Sequence, residues 1–195
     1  MKKAFDLTAL SPPLRVPRLT SGPVVLRPFA FGDMDLVHVA SADPQIPSIT
    51  SVPRTYSLEA GGAFIERQNQ RAIDGDGFSF VIADASEPGQ GLGSIGLWLH
   101  EIESGRASVG YWLVASARGR GLAGHALRAL CAFAFEKLAI PRVHLFVEPW
   151  NVASARTAEF AGFRREATLR GWERIDGAQK DADCYAQLHS EWAPG

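Results

Sequence analysis

Apolar and polar positions divide this chain into short alternating runs and a few helical stripes. Val24 to Leu26 predicts a short first strand. Asp33 is placed to cap a helix whose apolar positions include Leu36, Val37 and Ala40. Residues 42–56 hold Pro44, Pro47 and Pro53 with little periodicity and read as a loop of the kind that borders binding sites. Ser57 can cap a second helix to about Ile73, with Phe64, Ile65 and Gln68 at helical spacing, although Gly61 and Gly62 weaken its first turn. Three strands follow, near Phe78–Ala83, Leu92–Ile102 and Ala107–Val114, separated by turn residues at Pro88 to Gly91 and at Ser104-Gly105. Short links make them an antiparallel meander.

A longer helix is predicted from about Leu122 to Leu138, with Leu127, Leu130, Ala134 and Leu138 on its buried face and Ile140-Pro141 ending it. As a crossover, it places Arg142–Val147 parallel to the strand before it. Asn151 caps a short helix that stops at Gly162, and two strands near 164–173 and 182–189 flank an Asp176-Gly177 turn. Residues 1–17 are proline-rich and aperiodic, an irregular arm; 18–195 form one domain.

Charge narrows the function classes. Lys and Arg number 20 against 21 Asp and Glu, a net charge of −1, so no broad basic face is expected for nucleic acid or membrane. Cys131 and Cys184 read as small core residues; neither a bridge, a metal site nor a covalent acyl carrier is expected. Asp6, Thr8 and Pro12-Pro13 interrupt any signal-peptide core after Lys2-Lys3, and no run has membrane-spanning length, so a soluble, cytoplasmic protein is expected.

The candidate chemistry lies at Gly119-Arg120-Gly121-Leu122-Ala123-Gly124, between a strand and a helix. Glycines let the backbone approach a ligand, and helix N-terminal amides point at anions, which makes a phosphate cradle. The stretch fits G-x-G-x-x-G, the dinucleotide fingerprint. With Arg118 it also fits R-x-x-G-x-A, the pyrophosphate loop of acetyltransferases that use acetyl-coenzyme A. A purely structural turn is the third reading, but it needs no cationic rim. Position argues against the dinucleotide: at least three strands precede the loop, and too little chain follows Glu148 to complete a doubly wound sheet.

With Gly110-Tyr111-Trp112-Leu113, Asn151-x-x-Ser154, Gly162-Phe163 and Leu26-Arg27-Pro28, the order of elements resembles the GNAT superfamily of N-acetyltransferases, and within it the Rim-type branch. The resemblance covers about residues 20–190. It implies an α/β (mixed α+β) fold: a mostly antiparallel six- to seven-stranded sheet, splayed at a bulge between one parallel strand pair and flanked by about four helices. It implies acetyl-CoA as co-substrate, its pantetheine pairing with backbone groups of Trp112, Leu113 and Val114. The Val114 amide would stabilise the thioester oxyanion. Arg118, Gly119, Arg120, Gly121, Leu122 and Ala123 would hold the pyrophosphate. The Trp112 side chain would itself be packed core. Asn151 would contact pantetheine, cap its helix, or both. Ser154 would protonate the leaving thiolate or merely decorate the first turn.

The general base departs from the family pattern. Rim-type proteins often carry an acid two positions before Gly-Tyr, where this chain has Ser108, and His125 replaces a Glu often found early in the long helix. Glu101, Glu103 and His100 remain, and Glu101 is taken as the catalytic candidate, although acids beside a tight turn are commonly solvated surface. Without a base, a lysine amine of pKa ~10.4 costs ~4–5 kcal/mol to deprotonate at neutral pH, and an α-amine only ~1–1.5 kcal/mol. The expected acceptor is therefore a peptide or small molecule with a low-pKa primary amine. Asp33, Asp35 and Asp43 are the few acids near the first loop, which disfavours a polycation. The resemblance also implies a homodimer. The competing class is a non-catalytic acyl-CoA-binding regulatory module.

Overall fold

The computed structural model describes residues 4–193. The first three residues of the predicted arm, and Pro194-Gly195, lie outside them. Strands β1 (Leu19–Ser21), β2 (Val24–Arg27), β3 (Gly77–Asp84), β4 (Gly91–Trp98), β5 (Arg106–Leu113), β6 (Arg142–Val147), β7 (Arg164–Ile175) and β8 (Ala178–Leu188) form one sheet in the order β1-β2-β3-β4-β5-β6-β8-β7. The sheet thus has eight strands, not six or seven. The added one, β1, is a three-residue strand turned onto β2 through Gly22-Pro23. It is too short to leave an alternating signature.

Helices α1 (Met34–Ser41), α2 (Ile46–Ile49), α3 (Leu58–Asp74), α4 (Leu122–Ala132) and α5 (Val152–Phe160) number five among the described residues, against the expected four or so. The extra helix, α2, lies inside the predicted loop, where Asp43 accepts hydrogen bonds from the amides of Gln45 (2.9 Å) and Ile46 (3.1 Å). Ser57 caps α3 through the Ala60 amide, and Gly75, at φ 85°, stops it. Beyond Ala132 the predicted long helix widens into a π-turn at Phe133–Lys137. Phe133 then meets Phe78 and Phe80 edge-on, with ring centroids 5.1 and 6.3 Å apart.

Alternation along the strands sorts the helices onto two faces. Phe78 and Phe80 pack under the α4 segment, whereas Ser79, between them, faces α3, where its hydroxyl donates to Gln68. Fully buried side chains such as Phe80, Ile82, Ile95, Leu127 and Leu130 fill the α4 layer, each worth about 1.5–3 kcal/mol of burial. The arm is largely irregular, with a 3-10 turn at Leu7–Leu10, and Leu10 is buried in the core.

Among the described residues only β5 and β6 run parallel, and their pairing is confined to Arg106–Arg142, Ala107–Val143 and Ser108–His144. Past Ser108 the strands part. β5 keeps unbroken register on β4 from Ser108 to Leu113, so the expected bulge is absent there and the opening comes from divergence of β6.

Candidate active site

The glycine-rich turn is built by backbone conformation. Gly119 and Gly121 both sit at φ 75°, in the left-handed region where L side chains are strained, and a Cβ on either would meet nothing within 4 Å. Gly124 answers a packing demand instead, since its Cβ would lie 2.5 Å from Cδ1 of Phe160 on α5. The amides of Gly124 and His125 both reach the Gly121 carbonyl, so those of Leu122 and Ala123 open α4 without a helical acceptor. Free amides and the helix dipole together suit a pyrophosphate.

The two arginines brace this turn. Arg118 donates from Nε to the Leu113 carbonyl (3.0 Å) and from Nη2 to Asp43 (2.6 Å), and Arg120 pairs with Asp84 at 3.2 Å. Burial pushes the Asp43 carboxyl up. The Gln45 and Ile46 amides and Arg118 outweigh it, leaving the group below its ordinary value. Asp84 is held low first by Ser86 and then by Arg120.

Strand register decides which backbone groups face the opening. The Val114 amide donates to the Leu92 carbonyl at 3.0 Å, so it is not available as an oxyanion donor. Antiparallel pairs alternate, so Trp112 opposite Ser94 and Gly110 opposite Gly96 also spend their backbone groups on β4. Leu113 and Tyr111 turn theirs toward β6. The Leu113 carbonyl is taken by Arg118, which leaves its amide and both groups of Tyr111 facing the cleft. Of the three residues expected to pair with pantetheine, Leu113 alone is oriented to do so. The sequence reading did not consider the Tyr111 backbone, which faces the same way as that of Leu113; its signal was the period of two along β5.

The cleft opens into a cavity of about 700 Å³, lined by β4, β5, the end of β6, α3 and the start of α5. Ser154 and Asn151 both line it. Asn151 accepts from the Ser154 amide at 3.1 Å, a helix cap, and keeps its NH2 group for other partners. The Ser154 hydroxyl lies 2.7 Å from the Tyr111 hydroxyl. Burial raises the Tyr111 pKa against the opposing hydrogen bonds to Ser154 and Thr157, so the phenol stays protonated at neutral pH. The Trp112 side chain is buried, as expected of a core aromatic, and also lines the cavity.

Residues 24–164 match the family model for the GNAT acetyltransferase domain. The chain belongs to the GNAT family. An uncharacterized N-acetyltransferase p20 of Bacillus licheniformis is 26% identical over 172 residues, 87% of this chain and 95% of that protein. Among solved structures, Mycobacterium smegmatis RimJ in complex with CoA-disulfide superposes with a TM-score of 0.77 at 24% identity, over 90% of this chain and 88% of RimJ. The microcin C7 self-immunity acetyltransferase MccE, in complex with acetyl-CoA and AMP, gives 0.76 at 20% identity, over 85% of this chain and 92% of that one.

The acids of this GNAT domain are arranged differently from expectation. Glu101 is not part of the cavity lining: it is exposed, pairs with Arg106 at 2.8 Å, and has its other oxygen 3.5 Å from Nε2 of buried His144. The turn after β4 carries it toward Arg106. His144 is held below the usual histidine range mainly by burial, against the pull of Glu101. Glu103 also stays outside the lining, whereas His100 contributes to it. The carboxylates that do line the cavity are Asp76, Glu148 and Glu173, from three segments outside the first loop. Cys131 is fully buried; Cys184, expected in the core, is only half-buried. Among the described residues no His, Cys, Asp and Glu cluster could hold a metal, and no helix is long and apolar enough to cross a membrane.

Proposed function

We propose that this acetyltransferase moves an acetyl group from acetyl-CoA directly to a primary amine within a ternary complex. The observation that carries the reading is the succession of three parts from β5 into α4: a hydroxyl pair at Tyr111, a cleft where β6 leaves β5 with free backbone groups, and an amide-lined cradle with two left-handed glycines. The cradle suits the pyrophosphate, with Gly119, Gly121, Leu122 and Ala123 supplying backbone and Arg118 and Arg120 holding the loop. Leu113 and Tyr111 present the amides that would pair with pantetheine or polarise the thioester oxygen, in place of Val114.

The proton ledger is short. A leaving thiolate, whose acid has a pKa near 8.5, needs only modest help. Tyr111 is positioned to give it, with Ser154 orienting the phenol. No carboxylate stands at Ser108, so the acceptor is an amine that loses its proton readily, an α-amine of a peptide or small molecule. A homodimer and a cytoplasmic location belong to the same reading and rest on family resemblance.

Thermal unfolding with acetyl-CoA, and separately with NAD(P)H, tests the proposal. Ligand at about 100 times its dissociation constant stabilises by about 2.7 kcal/mol. Stabilisation by acetyl-CoA alone, followed by thiol release with amines, is the expected result. A response to the nicotinamide cofactor alone, or to neither, overturns it. Stabilisation with no thiol release from any amine would favour the regulatory module.

A further inference from the structure

Across the sheet from the pyrophosphate loop, the cavity has a constructed cationic shelf. Gly96 and Gly110 are opposite each other on neighbouring strands and both line the cavity. The Trp98 indole folds back over them: a Cβ on Gly96 would lie 2.2 Å from its Cζ2, and one on Gly110 would lie 3.6 Å from its Nε1. The Arg71 guanidinium, from the last turn of α3, lies over this indole with Cζ 4.5 Å from the ring centroid. Nη1 of Arg71 donates to Gln68 Oε1 at 3.1 Å. Gln68 is itself 3% exposed, and its oxygen also accepts from the Ser79 hydroxyl at 3.2 Å. Stacking and a buried hydrogen-bonded amide therefore fix the guanidinium at the cavity wall.

Asp76 is an electrostatic neighbour of this charge but makes no contact ion pair with it. Arg71 forms no ion pair among the described residues, unlike Arg118 and Arg120, and only one of its five N–H donors has a protein partner there. Burial, and then repulsion from Arg67, hold the group below its ordinary value, with Asp76 opposing. A half-buried cation with spare donors in a planar fork matches a carboxylate, which can accept two parallel hydrogen bonds.

We propose that Arg71, held by Trp98 and Gln68, binds a carboxylate on the acceptor, so the amine acetylated by this enzyme belongs to a molecule that is also an anion. The inference rests on the acetyltransferase reading of the same cavity. Asp76, Glu148 and Glu173 on the lining leave room for the acceptor's ammonium before it loses its proton, so the cavity bears both signs and suits a zwitterion. A polyamine would put a further cation beside Arg71.

The test compares amino acids and dipeptides having a free carboxylate with their C-terminal amides, and with spermidine. Thiol release from acetyl-CoA is measured for the wild type, Arg71→Met and Arg71→Lys. The expected result is a preference for the free acids of about tenfold or more in kcat/KM. Arg71→Met should remove the preference through KM, and Arg71→Lys, which keeps the charge without the fork, should retain part of it. Retained stabilisation of both variants by acetyl-CoA reports that the fold and coenzyme half are intact. Equal use of acids and amides, better use of spermidine, a preference that survives Arg71→Met, or no turnover of any acceptor overturns the inference while coenzyme binding stands. Failure of acetyl-CoA to stabilise the wild type overturns the underlying reading instead.

Discussion

On the proposed reading, the two halves of the active site are made from different materials. The coenzyme half is backbone: left-handed glycines, helix-opening amides and strand groups facing a cleft. The acceptor half is side chain: Arg71 on α3, Trp98 at the end of β4, and carboxylates from β7, from just past β6 and from the turn before β3. Backbone recognition uses chemistry every residue has, so it selects for absent side chains at fixed spacing. Side-chain recognition uses groups brought together by folding from segments far apart in sequence. A common coenzyme and an individual acceptor can therefore be served by one cavity that changes on one side only.

The largest effect expected on this contrast is at Gly121. Gly121→Val would force a β-branched residue to φ 75° and should lower acetyl-CoA affinity more than ~100-fold, given ~1–3 kcal/mol of strain plus lost contacts. The absence of any acetyl-CoA thermal shift would show it, and a full shift would place the coenzyme elsewhere. Tyr111→Phe comes next. It should reduce kcat by roughly 10–100-fold with little change in the acetyl-CoA KM, because the hydroxyl acts on departure of the thiolate and not on binding. Ser154→Ala removes the partner 2.7 Å away and should cost less, about fivefold. A larger loss in Ser154→Ala than in Tyr111→Phe would make Ser154 the donor and Tyr111 its support.

The smallest effect concerns the brace between the halves. Asp43, near α2, pairs with Arg118 of the cradle, and its carboxyl lies below the ordinary value. A depressed carboxylate contributes stability at neutral pH that is lost as pH falls below about 4, through its folded-state value. Asp43→Asn should weaken acetyl-CoA binding a few-fold at pH 7. It should also flatten the acid limb of a thermal-stability profile; an unchanged limb would assign that limb to other carboxylates.

The sequence reading succeeded and failed along the same division. The turn at Gly119 and Gly121 was legible because each glycine meets a local backbone demand, and the Asn151 cap because capping is a three-residue interaction. Val114 was misplaced in the chemistry because the direction of an amide depends on whether a strand position pairs with the left or right neighbour. That is fixed by register with Leu92, not by composition. Glu101 was misplaced because its acidic character says nothing about which way a turn carries it, and here Arg106 and His144 are its neighbours. Arg71 drew no notice, since one arginine near the end of an amphipathic helix reads as a favourable cation at its C-terminus.

By itself, the chain determined the order of all but the shortest strand and helix, the crossover that makes one strand pair parallel, and the glycine turn that opens α4. These follow from hydrophobic period, caps and glycine spacing, which act over a few residues. Only the tertiary structure decided that β6 diverges past Ser108, which amides face the gap, and that Arg71, Trp98 and Gln68 share one wall of the cavity. Those outcomes depend on strand register and on packing between segments tens of residues apart, where each side chain's surroundings are set by the whole fold.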